Sequence, residues 1–233
     1  MILAGGLGTR MASLTAGRPK ALLPVAGRPF VDHQLELLAE GGVTDVVICT
    51  GYGGEELRSH VGRGAPDGIG VRFVDEGNEL RGTAGALRLA LDEGALAASF
   101  AVLYGDSYLP IELQPVWDAF RASPLQALMT VLRNDDRWDA SNAIVRDGRV
   151  TLYDKNGRDP GRRWIDYGLS VLAAEVIADR VPSGAVADLA DVYHDLSVAG
   201  ELAALEVEDR FYEVGSPSGL EELEQYLRHS GRA

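Results

Sequence analysis

The chain is almost devoid of lysine: Lys20 and Lys155 are its only two, and every other basic side chain is arginine. In a sequence that defaults to arginine, each lysine marks a position where a compact ammonium, not a planar fork, is wanted. Cysteine is nearly absent too. Cys49 alone excludes an intrachain disulfide and fits a reducing compartment, the cytoplasm. No apolar run approaches the roughly 18 residues of a membrane span. The start lacks a basic segment followed by an apolar one, so no leader peptide is expected. Positive charge is in deficit, with a formal net charge of −13, which argues against nucleic-acid or anionic-membrane partners. Four histidines, His33, His60, His194 and His229, show no metal-ligand spacing and are expected to be surface or satisfied helix residues.

Hydrophobic residues make up 46% and charged residues 24% of the 233 positions, enough for one sizeable core. Apolar strand-like runs alternate with amphipathic stretches. Strands are expected at Met1–Ala4, Asp45–Thr50, Val71–Val74, Phe100–Tyr104 and Ala127–Leu132, and helices at Pro29–Ala39, Glu55–Val61, Gly82–Leu91 and Pro115–Ala122. This rhythm predicts a mostly parallel sheet flanked by helices. The later chain reads differently, with strands at Ala143–Val145, Arg149–Tyr153, Ile165–Val171, Leu202–Val207 and Phe211–Val214, and helices near Val186–Ala199 and Ser218–Arg228. Without repeats or linkers, a single domain over 1–233 is the simplest reading, with halves meeting near residue 110.

Directly after the first, very short strand come Gly5, Gly6 and Gly8. Glycine turns at strand ends let backbone N–H groups approach phosphate oxygens. A dinucleotide loop would carry a third glycine at position 11, which is Met11, and the Gly-Lys-Ser/Thr ending of a P-loop is missing. Instead the glycines lead into Thr9-Arg10, then Leu14-Thr15 and Arg18-Pro19-Lys20. This long pattern of fixed spacings resembles the signature of the sugar-1-phosphate nucleotidylyltransferases, with Ser13 standing where many members carry proline. The likeness continues through Glu79 to Ala86, Tyr104-Gly105-Asp106, Tyr153-Asp154-Lys155, Ile165 to Gly168 and Tyr212 to Pro217, and it spans nearly the whole chain. Its general look is that of the mannose- or heptose-1-phosphate guanylyltransferase-like branch.

The resemblance implies a three-layer α/β/α nucleotide-diphospho-sugar transferase fold, Rossmann-like, with a mostly parallel mixed central sheet. The nucleotide half would be about 1–110 and the sugar half about 111–233. It implies nucleotide contacts from Leu3, Ala4, Gly5, Gly6, Gly8, Thr9, Arg10, Gly82 and Thr83. Arg10 and Lys20 would be catalytic. Lys20, Asp154, Lys155, Asp166, Tyr167 and Gly168 would bind the sugar phosphate, and Asp106 and Glu213 would hold Mg²⁺. The implied reaction joins a nucleoside triphosphate to a sugar 1-phosphate and releases pyrophosphate; a homo-oligomer is compatible with it. Because the nucleophile is already an anion, positioning and electrostatics must supply most of the barrier reduction.

Two other readings remain open on the sequence alone. A cytidylyltransferase could act on a non-sugar phosphate monoester such as phosphocholine, with Trp138, Tyr153, Trp164 and Tyr167 available for an aromatic cage. A catalytically silent regulator could bind an NDP-sugar, although such a relic would be expected to lose Arg10, Lys20 or Asp106 first. Asp135, Asp136 and Asp139 beside Trp138 read as a solvated loop.

Overall fold

The computed structural model describes residues 1–6, 18–51, 53–77, 79–157 and 159–232. They form two compact units, each assembled from more than one stretch of chain. One comprises Met1–Leu80, Leu103–Pro110 and Phe211–Ala233, and the other Arg81–Val102 and Ile111–Arg210.

In the first unit, β1 (Ile2–Leu3) is flanked by parallel neighbours on both sides. Ile2 pairs with Ile48 of β4 (Asp45–Thr50) and with Leu103 of β6 (Ser99–Tyr104). β4 in turn pairs in parallel with β5 (Gly70–Asp75) from Asp45↔Gly70 to Thr50↔Asp75. A two-residue strand survives here because further main-chain bonds extend it: Ala4 N–H to Cys49 O, Leu103 N–H to Met1 O and Gly105 N–H to Leu3 O. The side chains of Ile2, Ile48 and Val74 are almost wholly removed from water. Helices α1 (Phe30–Glu40) and α2 (Gly54–Gly64) make the crossovers, as parallel pairing requires.

A tight hairpin joins β2 (Pro24–Val25) to β3 (Arg28–Pro29) through Ala26 and Gly27, both with positive φ. A second small pairing sets β7 (Ser107–Tyr108) antiparallel to β13 (Tyr212–Glu213). The C-terminal helix (Pro217–His229) seals both with Leu223 and Leu227, which pack with Val25, Phe30, Tyr108 and Val214. Ser216 caps that helix by accepting the Gly219 N–H.

The second unit has its own strand set. β8 (Ala127–Arg133) lies between β11 (Trp164–Ala173), antiparallel to it, and β12 (Leu202–Val207), parallel to it. β10 (Arg149–Tyr153) pairs with β12 and with β9 (Ala143–Arg146) across the Asp147-Gly148 turn, and β9 also pairs with β11. Six consecutive buried residues in β8 fit a strand covered on both faces. Four helices serve this unit: α3 (Gly82–Asp92), α4 (Leu113–Ala122), α5 (Ala174–Arg180) and α6 (Leu189–Ala199), so the C-terminal helix of the first unit is α7.

Several expected boundaries move. The helix expected from Val186 starts at Leu189, because Asp188 caps it and the preceding residues bond to α3 instead. α2 is longer at both ends than Glu55–Val61, and α5 has no counterpart among the expected helices.

Candidate active site

The register of the first unit brings one edge together. Leu3, Cys49, Val74 and Tyr104 stand at the same level across the parallel strands. The residues just beyond them are therefore Gly5, Gly51, Glu76 and Gly105-Asp106. In open parallel sheets, ligands bind beyond the carboxyl ends of the strands, where N–H groups and loop side chains converge. At Gly5 a Cβ would meet the carboxyl end of the Glu76 side chain, which would have to move aside. Gly6 is the opposite case, exposed and with nothing within 4 Å of a notional Cβ. Gly8, Thr9 and Arg10, expected to share the nucleotide, lie outside the described residues.

Lys20 and Asp106 meet at this edge. Pro19 and Lys20 open a single 3-10 turn, with Leu22 N–H bonding to Pro19 O, and Pro19 packs where a Cβ on Gly53 would otherwise stand. From there Lys20 Nζ donates to Asp106 Oδ2 at 3.0 Å, with side chains 16% and 30% exposed. A charge-assisted bond this sheltered is worth roughly 1.5–3 kcal/mol. Gln34 holds the Gly105-Asp106 turn from below: buried on α1, its Nε2 donates to Tyr104 O at 3.0 Å and Ser107 O at 2.7 Å. The motifs do not include Gln34; its only sequence signal is an amide within the apolar stripe of a helix.

Glu213 belongs to the same turn. It pairs opposite Ser107, and the Val214 N–H donates to the Asp106 carbonyl at 2.9 Å. Glu213 is exposed while Val214 is fully buried, so β13 alternates and turns its acid outward. Asp106 and Glu213, the two carboxylates expected to serve Mg²⁺, thus come from neighbouring backbone positions. Among the described residues, no group of three or more His, Cys, Asp or Glu side chains is arranged to hold a metal ion.

The sugar-side candidates lie in the second unit. Asp166 follows Ile165 on β11, where the pairing to β8 shifts register between Asp166 and Ser170. Gly168, at φ 96°, makes the bulge, and its N–H donates to Asp166 Oδ1 at 2.9 Å. Asp166 keeps partial exposure as a residue, yet burial of its carboxyl pushes the pKa up to about 6, opposed by the Gly168 N–H and the Lys155 charge. The buried phenols of Tyr153 and Tyr193 are pushed up by burial and then by the Asp166 charge. Tyr167 is also buried. Asp154 is occupied locally: its Oδ1 accepts the N–H groups of Asn156 at 3.0 Å and Gly157 at 2.7 Å, closing the turn that carries Lys155. Lys155 itself is exposed, 4.0 Å from Asp188 Oδ2.

Gly82 and Thr83 open α3. Gly82 has φ +70°, and a Cβ there would lie 2.5 Å from Ala187 O. A Cβ on Gly85 would lie 2.6 Å from Ala185 O. These glycines are therefore needed for close approach of the 185–187 backbone, quite apart from any ligand. Of the aromatics considered for a cage, Trp138 has Arg137 and Arg210 over its ring and Trp164 has Arg133. Tyr153 and Tyr167 are buried, so neither ring face is open to a cage. Asp135 binds Arg163 and Arg133, so its loop is ion-paired as well as solvated. The histidines are satisfied: His33 on Val25 O, His60 on Asp32, His194 on Tyr153 O and His229 on Gln225 O.

Comparison with known proteins places this geometry in a family. The chain matches the Nucleotidyl transferase family over residues 1–226 and belongs to it. It is 31% identical over 186 residues to the mannose-1-phosphate guanylyltransferase of Mycobacterium tuberculosis, covering 79% of this chain and 51% of that protein. It thus spans about half the length of that relative. It is 26% identical over 227 residues to the glucose-1-phosphate cytidylyltransferase of Salmonella typhimurium, covering 88% of this chain and 86% of that protein. Among solved structures, a putative glucose-1-phosphate thymidylyltransferase from Bacillus anthracis superposes with a TM-score of 0.84 at 22% identity, over 97% of this chain and 94% of that one. The expected nucleotide-diphospho-sugar transferase fold is the one found. No helix among the described residues is long and apolar enough to cross a membrane.

Proposed function

We propose that this chain transfers a nucleotidyl group from a nucleoside triphosphate to a sugar 1-phosphate. A sugar-phosphate oxygen bonds to the α-phosphorus as the bond to the bridging oxygen breaks, and pyrophosphate leaves. The observation that carries the reading is the Lys20–Asp106 pair at 3.0 Å beyond the carboxyl ends of β1 and β6. It sets a point cation and an acid where phosphates bind in sheets of this type. Lys20 offers its ammonium to the α-phosphate and the incoming phosphate. Gly5 and Gly6 offer backbone to the triphosphate, and Arg10 is assigned to the leaving pyrophosphate on its place in the motif.

Asp106 and Glu213 are the residues that would hold Mg²⁺, which supplies charge neutralisation on the phosphate oxygens when bound. In the second unit, Asp166 supplies an acceptor for sugar hydroxyls and Lys155 a cation for the sugar phosphate. Gly82 and Thr83 are assigned to the base, and Asp154, Tyr167 and Gly168 to shaping the sugar pocket. A sugar acceptor fits better than a choline, since arginines cover Trp138 and Trp164. Relatives named for mannose 1-phosphate with guanylyl transfer and for glucose 1-phosphate with cytidylyl transfer set the first substrates to try, guanylyl transfer to mannose or heptose 1-phosphate foremost. The single cysteine of the sequence, buried as Cys49, supports a reducing, cytoplasmic setting.

The test is pyrophosphate release from each of the four common triphosphates with Mg²⁺ and a panel of sugar 1-phosphates. Release that requires both substrates supports the reading. Binding of an NDP-sugar without release under any combination would make the protein a sensor instead.

A further inference from the structure

The segment between α5 and α6 has no part in the roles assigned above, yet it is bonded to two of the groups that do. Its backbone locks onto the start of α3: Ala187 N–H donates to Arg81 O at 2.9 Å, and Ala187 O accepts from Ala84 at 3.0 Å and Gly85 at 3.2 Å. Its side chains complete the lock. Thr83 Oγ1 donates to Asp188 Oδ1 at 2.8 Å and accepts the Leu189 N–H at 2.7 Å. The same Asp188 Oδ1 caps α6 by accepting the Ala190 N–H at 3.0 Å. The other oxygen, Oδ2, stands 4.0 Å from Lys155 Nζ.

We propose that Asp188 is a positioning residue for nucleotidyl transfer, holding Thr83 of the base loop with one carboxylate oxygen and presetting Lys155 for the sugar phosphate with the other. The inference rests on the roles just proposed for Thr83 and Lys155.

The two oxygens do different work. Oδ1 sits in a closed set of bonds that fixes backbone. Oδ2 faces a lysine in a pair whose side chains are 61% and 52% exposed. An exposed pair of this kind is a weak one. It is enough to bias a side chain with four rotatable bonds, and weak enough for the lysine to pass to a phosphate dianion. Burial by itself would raise the Asp188 pKa. The Ala190 N–H, the Thr83 hydroxyl and the Lys155 charge outweigh it and hold the pKa below the usual carboxylate range, so the group is an anion at neutral pH.

D188N separates positioning from a cap that is merely structural. Asparagine caps helices as well as aspartate and still accepts from Thr83, so only the charge facing Lys155 is lost. The expected result is a small fall in melting temperature, since the fold favours the ionised carboxyl, and an unchanged KM for the triphosphate, with kcat/KM for the sugar 1-phosphate down roughly three- to tenfold. In a Lys155→Met background D188N should bring no further loss. Thr83→Val should act on the other side, raising the KM for the triphosphate more than that for the sugar phosphate. An active wild type with D188N equal to it, or with the same loss in both backgrounds, overturns this inference and leaves the proposed function standing. A wild type that releases no pyrophosphate with any substrate pair overturns both.

Discussion

Replacing Asp166 by asparagine isolates a charge that burial disfavours. The carboxyl rises from 3.8 in the unfolded chain to about 6 in the fold. Because the folded pKa is the higher, the folded state binds the proton more tightly. Below about pH 4 both states are protonated and the group is neutral to stability. As pH rises from about 4 to 6 the unfolded chain ionises first, and above about 6 the full penalty on the fold is present. That difference corresponds to roughly 3 kcal/mol as a ceiling, and partial exposure of the residue reduces it to roughly 1–2 kcal/mol. The asparagine side chain keeps an acceptor for the Gly168 N–H and has no charge to bury. Urea denaturation of both proteins from about pH 4 to 8 should show D166N the more stable at pH 7.5, with the gap shrinking toward pH 4. In the same variant, turnover with the sugar 1-phosphate should fall at least tenfold, since a carboxylate acceptor is lost. A gap that does not change with pH, or a D166N protein less stable than wild type at pH 7.5, would refute the claim that this charge is held at the expense of the fold.

Other substitutions test the first unit and the α3 lock. Lys20→Ala and Asp106→Ala should each reduce turnover by at least a hundredfold while the circular dichroism spectrum is kept, and wild-type-like rates from either would overturn their roles. Gln34→Leu removes two bonds to the carbonyls around Asp106 and should lower kcat several-fold, with a stability loss of roughly 1–3 kcal/mol read by denaturation. Gly82→Ala places a Cβ against Ala187 O at positive φ and should destabilise by roughly 1–3 kcal/mol even without substrate, which distinguishes packing from base binding.

Much of the architecture is legible in the sequence. The buried run Asp45–Thr50 and the apolar Phe100–Tyr104 show their strands by composition alone, and both match the structure to within a residue. The family resemblance singles out the Gly105-Asp106 turn and, with the scarcity of lysine, Lys20, and the fold brings them together. The features that stay hidden depend on partners remote in the chain. α5 is seven residues long, too short for helical periodicity to separate it from the strand before it. Val186 looks helical by its neighbours, whereas residues 185–187 are claimed by α3, so α6 starts later than its pattern suggests. Asp154 reads as a sugar ligand on motif position, and its carboxylate is closing the turn under Lys155. Gly82 reads as a ligand-facing glycine, while its nearest neighbour is the Ala187 carbonyl. Asp188 carries the N-cap signal of an acid before an apolar helix, but its bond to Thr83 and its ion pair with Lys155 join residues far apart in sequence.

The central claim is that the nucleotidyl group, carrying the α-phosphorus, moves to the sugar phosphate with pyrophosphate as the leaving group. Triphosphate labelled at the α-phosphorus, incubated with wild-type protein, Mg²⁺ and sugar 1-phosphate, should deliver its label into the nucleotide sugar, while label at the β-phosphorus should appear only in pyrophosphate. Label from the α position in an inorganic product, or no label transferred with any pairing of triphosphate and sugar phosphate, would contradict it.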